Sequence, residues 1–98
     1  MTPTLVDAVE RNRQHPDTFA VPDQAQLPLV AIGDVVKVCL EAPNKEGERF
    51  WVLVTENNPL AKTFKGTVDN ELVVFDGFPL HMEMEVEYRH VLDWWVMQ

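Results

Sequence analysis

Cysteine is nearly missing from this chain of 98 residues: Cys39 stands alone, so no internal disulfide braces the fold and no Cys-x-x-Cys pair is present. Glycine is as sparse. Gly33, Gly47, Gly66 and Gly77 are isolated from one another, which excludes the glycine-rich loops that wrap phosphates. Long apolar runs are lacking too: stretches such as Trp51–Val54 and Leu72–Phe75 fall far short of the ~20 residues that a bilayer-spanning helix needs. The first fifteen residues include Asp7, Glu10, Arg11 and Arg13, leaving no apolar centre for a secretory signal. The expectation is therefore a cytoplasmic protein with no membrane contact. Cations are scarce as well, 8 Lys and Arg against 16 Asp and Glu for a net charge of -8. Phosphate contacts need clustered cations, so direct nucleic-acid binding is disfavoured.

What is present describes an ordinary globular chain. With 46% apolar and 24% charged residues the composition argues against disorder, and the length holds a single core, so residues 1–98 are read as one domain. Thr2-Pro3 resembles an N-cap followed by proline at the first helical position, and Leu5, Ala8, Val9 and Asn12 follow at helical spacing. These predict a helix over 3–14, stopped before Pro16. Residues 16–32 carry Pro16, Pro22 and Pro28 among Phe19, Val21, Leu27, Leu29 and Ile32, an ordered strap with one helical turn between Asp23 and Leu27.

From Gly33 onward the pattern turns to strands. Asp34–Glu41 places Val36, Val38 and Leu40 on one face, and Arg49–Glu56 follows after a turn at 43–48. Thr63–Asp69 alternates, with Phe64, Gly66 and Val68 inward, and Gly66 marks a bulge or sharp bend. After Asp69-Asn70, Glu71–Phe75 is read as a fourth strand. Met82, Met84, Val86 and Tyr88 then alternate with Glu83, Glu85 and Glu87 in the cleanest period-two segment of the chain. The expected fold is mainly β with an α+β character: a small, bent, antiparallel SH3-like barrel of about five strands over 33–98, covered by the helix and strap of 1–32.

The segments Gly33-Asp34-Val35-Val36-Lys37-Val38, Gly47-Glu48-Arg49-Phe50-Trp51-Val52, Gly66-Thr67-Val68-Asp69-Asn70-Glu71-Leu72 and Glu85-Val86-Glu87-Tyr88-Arg89-His90-Val91 together resemble, in order and spacing, a bacterial family catalogued only as a domain of unknown function (2314-like). Pro16-Asp17-Thr18-Phe19 with Val21-Pro22 extends the resemblance to roughly residues 15 to 95. It implies a small β-rich domain and transfers no activity. One departure is His81-Met82-Glu83-Met84, where the family tends to place a glycine-aspartate turn.

No constellation completes a catalytic set. His81-x-Glu83 matches half of a zinc deaminase signature, whose other half needs two further cysteines. Cys39 lies within a strand pattern where a small buried hydrophobe is the ordinary occupant, even with His81 or His90 as a base elsewhere in the chain. His15, His81 and His90 show no metal-ligand spacing, so no metal or other cofactor is expected. The candidate partner-binding residues are aromatic and acidic. Trp51, Trp94, Trp95 and Tyr88 either fill the core of a small domain or form an exposed surface, and in an extended segment Trp94 and Trp95 point to opposite faces. Glu83, Glu85 and Glu87 project from one face at intervals of about 6.6 Å. With Asp93 they form either a solvated, charge-guarded edge or an acidic docking surface. The leading expectation is a non-enzymatic protein-interaction domain, monomer or homodimer, whose partner has a basic surface. The alternative is an acidic inhibitor, of the phage counter-defence or toxin-immunity kind, that occupies a basic groove.

Overall fold

The computed structural model describes residues 2–97. Along the chain lie β1 (Thr4–Leu5), α1 (Ala8–Gln14), a 3₁₀ turn at Gln24–Leu29, β2 (Val35–Glu41), β3 (Glu48–Asn58), β4 (Thr63–Val68), β5 (Glu83–Glu87), a 3₁₀ turn at Tyr88–His90 and β6 (Asp93–Trp95). The strands form one antiparallel sheet in the order β1-β2-β3-β4-β5, and β6 also pairs with β2. β6 takes the first half of the β2 edge and β1 takes its end, while the N–H groups of Leu92 and Val6 reach the carbonyls of Lys37 and Cys39 between them. The strand order, with a 3₁₀ turn before a last strand that returns to the first long one, is that of an SH3-type barrel, here a curled half-barrel.

The helix begins later than its proline predicts. Asp7, not Thr2, is the N-cap: its carboxylate accepts from the Glu10 N–H at 3.0 Å, and Thr4 and Leu5 are extended against Glu41 and Leu40. Covering the β2 edge satisfies backbone groups that an earlier helical start would have left bare. The helical turn of the strap forms as expected, capped by Asp23 and burying Leu27 completely. Asn57 on β3 ties it down. Its amide donates to the carbonyls of Leu27 and Val30 at 3.1 and 3.0 Å, and its oxygen accepts from the Tyr88 hydroxyl at 2.6 Å.

The fourth strand expected over 71–75 is absent, and the strand that completes the half-barrel is β6 instead. Residues 69–82 form a long loop fastened by a side chain rather than by a ladder. The Glu48 carboxylate accepts from the N–H groups of Val73, Val74 and Phe75 at 2.7, 2.8 and 3.2 Å, and Phe75 drops into the core. Burial pushes the Glu48 carboxyl up, but those three amides outweigh it and hold it below its ordinary range. The loop closes at His81, whose φ of 72° lies in the left-handed region that favours glycine, the residue type tolerated best in such a turn.

Val36, Val38, Leu40, Phe64, Val68 and Val86, which the alternation points inward, are all buried, and Phe64 is fully so. Gly66 supplies the bend. The β3–β4 register shifts between Val54 and Glu56, and a Cβ on Gly66 would stand 2.3 Å from the Leu53 carbonyl oxygen. A second, smaller core of Val6, Ala8, Cys39 and Leu92, with Phe19 and Val21 against it, lies between the N-terminal segment and the outer face of β2. Two substitutions test this packing by urea unfolding. Phe64→Ala should cost about 3–5 kcal/mol, and Gly66→Ala should also destabilise clearly because backbone stands in the way; unchanged midpoints would refute the register.

Candidate functional site

β6 decides which tryptophan is seen from outside. Adjacent strand residues face opposite ways, and Trp94 turns in against the core while Trp95 stays 57% exposed. Trp94 Nε1 donates to Asp34 Oδ2 at 3.0 Å. Asp34 is itself only 2% exposed and also accepts from the Ala31 N–H at 2.9 Å and the Met97 N–H at 3.3 Å. Burial raises the Asp34 carboxyl, but these donors prevail and hold it below its ordinary value. Nothing in the sequence marked Asp34 as more than the first residue of a strand.

On the outer face, Trp95 stands opposite Val35, and Lys37 is flanked by Asp93 on one side and Trp51 on the other. The rings of Trp51 and Trp95 lie 5.2 Å apart between centroids, tilted by 55°, and Lys37 Nζ sits 4.9 Å above Trp51. Asp93 fixes the cluster: its carboxylate accepts from the Trp94 N–H at 2.8 Å and from Trp95 Nε1 at 3.1 Å. Val96 and Met97 follow, 62% and 59% exposed. Of the candidate residues, Trp51, Trp95 and Asp93 therefore form one site, while Trp94 supports it from within.

The acidic candidates do not join them. Glu83, Glu85 and Glu87 do face outward on β5, which ends the sheet order. Asp93 lies on β6 opposite Lys37 of β2, on a different strand from the three glutamates. Nor are the glutamates alike. Glu87 pairs with Arg89 at 3.0 Å and Arg89 with Asp7 at 3.0 Å, clamping β5 to the helix start. Glu85 lies opposite Lys65, which reaches Glu56 at 3.8 Å.

The histidines are dispersed: His15 caps the end of α1, His81 is exposed in the loop, and His90 lies in the second 3₁₀ turn rather than at a strand end. Among the described residues no group of three His, Cys, Asp or Glu side chains is placed to hold a metal. Cys39 is buried in the smaller core, and burial pushes its thiol up. His90 is 8% exposed and its Nδ1 accepts from the Glu87 N–H at 3.1 Å, which requires the neutral ring. Burial first, then the Arg89 charge, lower its pKa from 6.5, against the opposing pull of Glu87 and Asp7.

A pH dependence follows from His90. Because the unfolded chain takes up the proton at a higher pH than the folded one, stability is flat above about 6.5 and falls as pH drops below it. Asp34 and Glu48, held below 3.8 and 4.5, add a second loss only at more acid pH, where their carboxylates protonate. Urea titrations from about pH 7.5 to about pH 5 should show the first loss in the parent protein and a much smaller one in His90→Gln; equal slopes would refute the assignment.

The chain matches no protein-family model, no curated protein and no solved structure.

Proposed function

We propose that this is a non-enzymatic protein-interaction domain that binds a protein partner through the face formed by Trp51, Trp95 and Lys37. The observation that carries the reading is the Trp51–Trp95 pair: two large rings in contact, one more than half exposed, oriented by the Asp93 hydrogen bond. A small domain gains most from burying its aromatics, and an exposed ring held in a fixed orientation is the chemistry of an interface anchor. The free, buried Cys39 is compatible with the cytoplasm.

A second reading has its own support. β5 carries outward Glu83 and Glu85 at the edge of the sheet, as expected of an acidic inhibitor that enters a basic groove of a nucleic-acid enzyme or toxin. Glu87 belongs to the Arg89 clamp, so the variant that isolates the ridge is Glu83→Gln/Glu85→Gln. In affinity capture from a bacterial lysate, Trp95→Ala should lose the protein recovered by the parent by about tenfold or more, as for an anchor residue, and the double glutamine variant should keep it. Retention by Trp95→Ala, with loss in the double variant and association that slows with salt, would replace the first reading by the second. No recoverable partner together with turnover in an activity screen would count against both.

A further inference from the structure

We infer that the groove between the strap residues Thr18–Pro22 and the outer face of β2 and β3 binds a monocarboxylate with an apolar body. The groove is about 460 Å³, the size of a small-ligand site. Lys37 and Arg49 stand on its wall, diagonal neighbours on adjacent strands because Lys37 pairs with Trp51. In a chain of net charge -8, neither forms an ion pair among the described residues, a condition they share with Lys45 and Lys62, which stand outside the groove. Both cations are held over rings instead, Lys37 at 4.9 Å from Trp51 and Arg49 at 5.6 Å from Phe19. Ring faces orient a cation without neutralising it, which leaves both charges for an anion.

The rest of the lining sets the ligand class. Phe19, Val21, Pro22 and Leu92 offer apolar surface beside the cations. Asp93 also lines the groove, with its carboxylate already accepting from Trp94 and Trp95. That fixed negative charge, added to the net charge of the chain, opposes a phosphate dianion or a polyanion and leaves a single carboxylate as the best-matched group. Lys37 is shared with the tryptophan face, whereas Arg49, Phe19, Val21, Pro22 and Leu92 belong to the groove alone and Trp95 is outside its lining.

Amide-resolved NMR titrations of the intact protein test it. Hexanoate should shift the amides of Val21, Lys37, Arg49 and Leu92 saturably, and hexanamide should bind about tenfold more weakly, the usual scale for losing one charged contact. Lys37→Gln and Arg49→Gln should each weaken hexanoate by a similar factor, while Lys45→Gln leaves it unchanged. Acetyl-Leu-Glu-Leu-amide binding tighter than hexanoate assigns the groove to a partner's acidic segment, and the reverse order assigns it to a free acid. Either order supports the inference. No saturable shift with either carboxylate, an equal response to hexanamide, or an equal response to inorganic phosphate at the same amides would overturn it, and these comparisons need no variant.

Discussion

The carboxylate of Asp34 is almost entirely removed from water with no cation beside it, and such a group is tolerated only when hydrogen bonds replace its hydration. Here they arrive from both ends of the chain: the Ala31 N–H at the end of the strap, the Trp94 indole and the Met97 N–H past β6. The backbone of the same residue bonds Ala31 and Val54, and Gly33 bonds Val54 as well. The side chain and backbone of this one residue thus join the strap, the β2–β3 pair and the C-terminal strand. Removing it would strand three donors, and a buried indole N–H has no other partner in that position.

The orientation of the outer face follows from this constraint. Once Trp94 is committed inward to Asp34, the alternation of a strand commits Trp95 outward, opposite Val35 and beside Trp51. The C-terminal strand is also what separates the two charge regimes of the surface. Carboxylates dominate the last third of the chain by sequence, yet Asp93 is carried to the β2 side, where its oxygens serve the two tryptophans, while Glu83 and Glu85 remain on β5. Lys37 and Arg49 therefore share their groove with one carboxylate, that of Asp93, rather than with the β5 glutamates.

Much of the half-barrel was legible because its strands obey a period of two. Val36, Val38 and Leu40, and again Met84 and Val86 against their glutamates, could be assigned to faces without any knowledge of pairing. Thr4–Leu5 is too short to show a period, and Thr2-Pro3 imitates a helix start, so the first strand was hidden. Leu72–Phe75 is a continuous apolar run that reads as a strand, and only the distant Glu48 side chain, which captures its amides, explains why it is a loop. The site was legible in part. That Trp94 and Trp95 diverge is a property of any extended segment; which one turns inward depends on Asp34, sixty positions away. The diagonal placement of Lys37 and Arg49 depends on strand register, which no local pattern encodes.

The most direct test of the role of Asp34 is amide hydrogen exchange on Asp34→Asn. An asparagine presents one acceptor and one donor to an arrangement of three donors, so at least one must lose its partner. Exchange should quicken at Ala31, Trp95 and Met97, with the indole N–H of Trp94 exchanging faster too, while the amides of Val52 and Phe64 in β3 and β4 stay protected. Unchanged exchange across 93–97, or a uniform increase over the whole sheet, would contradict the claim that this carboxylate is what seats the C-terminal strand.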